Sequence, residues 1–228
     1  MLGTIVNTGT IIMGTIVGCV VKKGIKEEYQ GALFNAMGFA AMALGINAIV
    51  SHMPDSNYPV LFIVSLAIGS LIGSMINIDE KFQKLVGKYS KSNLGQGLST
   101  GVLLYCIGTL SVLGPVMSAI YGDNTYLFTN AMLDLVTSMV LASTYGIGMI
   151  FAAPILFAWQ GSIYLVAHYL SGSFFSDDLV KELSIVGGVL IVSSGISILK
   201  IKDCKTLNML PALFVPIIFF VAKGIIGF

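Results

Sequence analysis

From Gly3 onward the chain keeps returning to one pattern: a run of largely apolar residues closed by lysines, acids or turn formers. About 20 such residues in helical conformation cross the hydrocarbon core of a bilayer. Eight segments qualify: Gly3 to Val21, Ala32 to Ser51, Pro59 to Asn77, Gly97 to Ile120, Tyr126 to Tyr145, Ile147 to Leu170, Leu183 to Leu199 and Met209 to Ile226. The expectation is therefore all-α: a polytopic integral membrane protein of about eight transmembrane helices, with residues 1–228 forming one transmembrane domain in the lipid bilayer. Composition agrees. Only 10% of the residues are charged, against roughly 25% in soluble domains.

The charges that remain are informative by position. A net charge of +1 leaves no basic face for nucleic acid. All 12 basic residues are lysines, so bidentate recognition by a guanidinium is excluded. The loops after the first, third, fifth and seventh spans hold 10 of the 12 lysines. The positive-inside rule makes that side cytoplasmic, so both termini are expected outside. The start, MLGTIVNTGTIIMG, has no positive region before its apolar run, and a retained first span is expected rather than a cleaved signal. Asp79 to Lys91 reads as an amphipathic cytoplasmic segment on the membrane surface. Phe82, Leu85, Val86 and Tyr89 share one helical face there, and Lys81, Lys84, Lys88 and Lys91 the other. A solvated linker is the alternative.

Two spans echo each other. GFAAMALGINAI (Gly38 to Ile49) and GVLIVSSGISIL (Gly188 to Leu199) share Gly, six residues, then Gly-Ile. They cross in opposite directions, so spans 1–3 and 6–8 would form an inverted repeat around spans 4–5, a recurring construction in secondary transporters. A second echo, FNAM at Phe34 and TNAM at Thr129, would relate spans 2 and 5 instead.

Asp134 lies deep inside the fifth span, and it is the one acid placed mid-membrane; the other ten fall in loops or at span ends. Ionisable groups at that depth are expensive and usually functional. With no lysine at the same depth, the carboxyl must be neutral, hydrated, or solvated by polar groups and a bound cation. Asn130, Asp134 and Ser138 are spaced i, i+4, i+8 with Thr137 beside them, a polar stripe that has to face protein or water. In the fourth span, GTLSVLGP, Pro115 frees the carbonyl of Ser111 beside Gly108, Thr109 and Gly114, which suggests a kink or break lining a cavity. The sixth span adds Pro154, Trp159 and the buried amide Gln160. The candidate solute- or ion-binding set is thus Asp134, Asn130, Ser138, Thr137, Gly108, Thr109, Ser111 and Gln160. Cys19, Cys106 and Cys204 form no CxxC, and His52 and His168 have no partner at ligand spacing, so no metal and no cofactor is expected. No nucleophile–base constellation or phosphate loop is present, so an enzyme is not expected.

The runs LLYCIGTLSVLGP, NAMLDLVTSMVLASTYGIG and WQG, with GTIVNTGTIIMGTIVG, LSIVGGVLIVSSGISIL and NMLPAL, resemble the bacterial domain-of-unknown-function family 554 over nearly the whole chain. The resemblance implies a multi-pass protein of the bacterial cytoplasmic (inner) membrane, of transporter type, with no established substrate. The family's Leu-Asp element falls on Leu133 and Asp134, its paired glycines on Gly187 and Gly188, and its sixth-span Gln on Gln160. Members often carry Lys at the position of Asn130 and Glu at that of Ser74. The reading that results is a secondary transporter or channel-like permease for a small solute or ion, with proton coupling at Asp134 as one form of it. A homo-oligomer is compatible with it. The rival is a non-transporting membrane sensor or assembly protein, against which the short loops speak.

Overall fold

The computed structural model describes residues 1–21, 26–87, 101–102, 105–106, 109–170 and 176–226. Among them all regular structure is helical. In order these are α1 (Leu2–Val20), α2 (Glu27–His52), α3 (Leu61–Ile76), α4 (Ile78–Gly87), α5 (Thr109–Tyr121), α6 (Thr125–Tyr145), α7 (Ala152–Leu170), α8 (Asp177–Ile198), α9 (Thr206–Met209) and α10 (Phe214–Ile226). Short 3-10 turns occupy Met53–Asp55, Ile147–Phe151 and Leu210–Leu213. Among the described residues six helical stretches are long and apolar enough to cross a membrane: Leu2–Val20, Gly31–Asp55, Thr125–Ser143, Ile147–Tyr169, Asp177–Ile198 and Thr206–Gly224. Two shorter apolar helices, Leu61–Ile76 and Leu110–Tyr121, stand where the third and fourth spans were expected.

Local chemistry explains several boundaries. α3 stops at Asn77, which takes the left-handed conformation that Asn tolerates (φ 53°). α8 begins well before Leu183 because Ser176 caps it, its Oγ accepting from Leu179 N at 3.3 Å. Asp177 and Asp178 then place negative charge on the positive end of the helix. α5 runs unbroken from Thr109 through Pro115. A break at Gly108 falls outside the described residues, but none occurs between Thr109 and Pro115. Of the amphipathic segment, the backbone is described as far as Gly87. The side chains of Phe82, Leu85 and Val86, and residues Lys88, Tyr89 and Lys91 altogether, lie outside the described residues, as do Lys22 and Lys23.

The chain divides into two compact units, residues 1–37 with 82–173, and residues 38–81 with 174–228. In the first unit α1 and α6 run parallel and touch along their length. α1 buries Gly3, Thr4, Asn7, Thr10, Ile11, Gly14, Thr15 and Gly18, while Leu2, Ile5, Met13, Ile16 and Val20 point outward. Small and polar residues inside with large apolar ones outside is the reverse of a soluble helix, and is how a helix packs when its surroundings are lipid. Gly14 sets the spacing: a Cβ there would stand 2.5 Å from the Leu135 carbonyl oxygen and 2.8 Å from Ser138 Cβ. A cluster of Ile11, Tyr105, Cys106, Ala152, Ala153 and Leu156 fills the apolar centre of this unit. In the second unit α2 from Gly38 onward crosses α8, and α3 packs against α9, the Leu210–Leu213 turn and α10.

Candidate functional site

α6 contains neither Gly nor Pro between Thr125 and Tyr145, so nothing interrupts its polar stripe. Asp123 Oδ1 accepts from Thr125 N at 2.9 Å to start it, and Gly146, at φ 84°, ends it. Asn130, Asp134, Thr137 and Ser138 are all buried, with Asp134 only 3% exposed. The stripe therefore faces protein. Asn130 Nδ2 donates to Asp134 Oδ2 at 2.9 Å. One turn on, the Ser138 hydroxyl reaches the Asp134 carbonyl oxygen, and Ser138 Oγ and Tyr105 Oη are hydrogen-bonded at 3.0 Å.

The other wall comes from α1. The Asn7 amide lies beside the Asp134 carboxyl, although its nitrogen makes no hydrogen bond of good geometry. Thr10 Oγ1 donates to the Asn7 carbonyl at 2.7 Å, holding this turn of α1. Thr4 and Thr15 add buried hydroxyls with no partner among the described residues. The close approach at Gly14 is what brings these side chains against α6. The Asp134 carboxyl thus meets two side-chain amides, Asn130 and Asn7, and among the described residues no ion pair reaches it. An ionised, unpaired carboxylate costs several kcal/mol or more in such surroundings. Among the described residues no three His, Cys, Asp or Glu side chains gather, so a cation at Asp134 would have to use neutral oxygens.

A second polar pair joins α7 to α5. Gln160 Nε2 donates to Ser111 Oγ at 3.0 Å, both residues fully buried, and Gln160 Oε1 has no partner among the described residues. The structure thus couples Asn130, Asp134 and Ser138 in one hydrogen-bonded group and Ser111 with Gln160 in another. Thr137 is buried on the same face of α6. Gly108 and the Thr109 side chain lie outside the described residues. Trp159, beside Gln160, points outward and is 39% exposed.

The family model described as "Protein of unknown function (DUF554)" matches residues 2–221. The chain belongs to this family. It is 62% identical over 216 residues to the "Uncharacterized membrane protein YdfK" of Bacillus subtilis (strain 168), covering 95% of this chain and 94% of that one. It is 23% identical over 230 residues to the "Uncharacterized protein YqgA" of Escherichia coli (strain K12), covering 93% of each. No solved structure matches it.

Three groups escaped the sequence reading. Asn7 stands in the small and polar run GTIVNTGT of the first span, which gives no sign of a carboxyl partner. Tyr105 sits in an apolar run that gives no sign of its hydroxyl partner. Glu182, placed at the border of the seventh span, is buried within α8 and 1% exposed, so Asp134 is not the only buried acid. Its signal was present: Ser176 followed by Asp177 and Asp178 marks a helix start that brings Glu182 inside.

Proposed function

We propose that this membrane protein is a secondary transporter or channel-like permease for a small solute or ion, and that Asp134 is the group that takes up a proton or a cation on the way. One observation carries the reading: a 3% exposed carboxyl in the middle of an apolar helix, bonded to the Asn130 amide and facing Asn7. A proton is the preferred occupant, because cages for cations usually recruit several carboxylate or carbonyl oxygens and among the described residues a single carboxylate stands here. In this reading the chain crosses the inner membrane eight times, α3 and α5 being parts of the third and fourth spans, with both termini outside. Spans 1–3 and 6–8 form an inverted repeat, and the Ser111–Gln160 pair stands on the same route as Asp134.

The test is flux in proteoliposomes and ligand-induced melting shift, for wild type, Asp134→Asn and Asp134→Ala, across pH and with Na⁺ or K⁺ as the probe ion. If a proton is handled, Asp134→Asn folds and loses the pH dependence. If a cation is handled, it loses the ion-dependent stabilisation, which in the wild type grows with ion concentration by mass action. Both variants matching wild type in flux, binding and pH response would refute the role of Asp134.

A further inference from the structure

The helices recur along the chain at a fixed interval. α1 and α7 begin at Leu2 and Ala152 and end at Val20 and Leu170, each 150 residues apart. The same 150 residues separate the starts of α2 and α8, Glu27 and Asp177, and the ends of α3 and α10, Ile76 and Ile226.

Inside the second unit the contacts obey this interval reciprocally. A Cβ on Gly38 would meet Leu199 Cγ at 2.6 Å; on its counterpart Gly188 it would meet Ile49, the counterpart of Leu199, at 2.9 Å. A Cβ on Gly45 would meet Val192 at 2.8 Å; on Gly195 it would meet Met42 at 2.6 Å. A Cβ on Gly45 would stand 2.5 Å from the Gly188 carbonyl oxygen, and in the counterpart pair a Cβ on Gly195 would stand 2.8 Å from the Gly38 carbonyl oxygen. When i touches j and the counterpart of j touches the counterpart of i, the elements are related by a two-fold axis. α2 and α8 are antiparallel here, so the axis crosses them at right angles.

The two ends of this unit are related by the same interval but built differently. At one end Gly73 packs on the backbone of Asn208. The counterpart pair at the other end is Lys223 and Tyr58. There the ammonium donates to the Tyr58 hydroxyl and lies 5.1 Å from the ring centroid. Phe219 and Phe220 hold that ring edge-on at 5.0 and 5.5 Å. Glu182, whose counterpart is Ala32, adds a buried carboxyl to the same end. The Ser56 hydroxyl donates to its Oε1 and accepts from Tyr58 N at 3.0 Å, while Oε2 has no partner among the described residues. Both departures from the symmetry thus introduce charge, and both act through Tyr58.

We propose that the second unit is a two-state element, with the α2–α8 crossing as its pivot and Glu182, Ser56, Tyr58 and Lys223 as a charged latch on one end. The opposite end is closed by Gly73 packed on the Asn208 backbone and by Asn208 Oδ1, which accepts from Asp79 N at 2.9 Å. The proposal rests on the inverted-repeat part of the transport reading. It makes Glu182 and Lys223 gating residues, which position the ends of helices and touch no solute.

Distances between spin labels in proteoliposomes test it, with Cys19, Cys106 and Cys204 replaced by serine. Asp55→Cys with Gly224→Cys reports the latch, Met75→Cys with Asp203→Cys the opposite end, and Ile46→Cys with Val189→Cys the pivot. In the wild type a longer latch distance should be a minor population of about 0.1–10%. Glu182→Gln and Lys223→Gln should each make it the major one, leaving the pivot and opposite-end distances unchanged. Tyr58→Phe, which keeps the ring on Phe219 and Phe220 and removes only the acceptor of Lys223, should do the same and guards against loss of folding. An unchanged latch distance in all three variants, or pivot and latch lengthening together, would overturn the proposal. The distances need no substrate, so this outcome is independent of the flux measured for Asp134 variants.

Discussion

Glycine-to-alanine substitution separates close helix contact from mere small-residue composition, because the structure assigns opposite signs to different glycines. A Cβ on Gly69 would collide with the Ala212 backbone and stand 2.7 Å from Ala212 Cβ. One on Gly14 would stand 2.5 Å from the Leu135 carbonyl oxygen. Neither neighbour is the free end of a flexible side chain, so the helices must separate. Forcing a methyl into a packed interior costs about 1–3 kcal/mol. Against this, alanine stabilises a helix over glycine by roughly 0.5–1 kcal/mol. The net loss for Gly69→Ala or Gly14→Ala is then about 0–2.5 kcal/mol, centred near 1 kcal/mol. At roughly 2–4 °C per kcal/mol for a chain of this size, melting should fall by a few degrees. At Gly9 and Gly31 a Cβ would meet nothing within 4 Å. Gly9→Ala and Gly31→Ala should therefore leave the melting temperature unchanged or raise it. Thermal unfolding in one detergent, followed by circular dichroism, gives all four values. Equal shifts at all four sites, or a larger fall at Gly9 than at Gly69, would refute the packing described for α1 on α6 and α3 on the Leu210–Leu213 turn.

Two further outcomes follow from the polar contacts and the charge pattern. Gln160→Leu alone strands the Ser111 hydroxyl and should destabilise by about 1–3 kcal/mol, whereas Gln160→Leu with Ser111→Ala should be nearly neutral; additive losses in the double variant would show that the pair is not a unit. Cysteine labelling in intact cells should reach both termini from outside and position 84 only after permeabilisation, and outside labelling at position 84 would reverse the orientation drawn from the lysines.

What the sequence disclosed depended on period. The stripe of Asn130, Asp134 and Ser138 was legible because polar residues four apart must share a face, and no apolar helix can hide that spacing. The α2–α8 crossing was half legible: the Gly-six-Gly-Ile echo named the glycines, but only coordinates pair Gly38 with Leu199 and Gly188 with Ile49. α1 misled in a different way. Its interior face is Thr, Asn and Gly, and such a face reads as close packing, so Asn7 gave no sign of facing a carboxyl 127 positions on. Glu182 was lost because a span defined by apolar content starts at Leu183, while the helix starts where its cap stands. Lys223 was counted for orientation, and its hydroxyl partner is 165 residues away in sequence.

The position of Asp134 relative to the repeated interval bears on how many sites such a protein can have. In the proposed inverted repeat residues 2–76 correspond to 152–226, and α5 and α6 fall in the stretch between them. On the inverted-repeat reading, a binding group inside the repeat would have a counterpart 150 residues on, and two related stations would result. Asp134 belongs to the unrepeated stretch and has no such counterpart. Its neighbour on α1, Asn7, does lie in the repeat, and its counterpart is Phe157, which is 41% exposed and carries no polar group. The polar surroundings of the carboxyl are thus assembled once, from one repeated helix and one unrepeated one. In the proposed transport reading a single proton-accepting station fits that arrangement, and the second unit would supply motion rather than a second site. A stoichiometry of one proton or cation bound per chain, measured by titration against Asp134→Asn, is the expected result, and two would place a further site within the repeats.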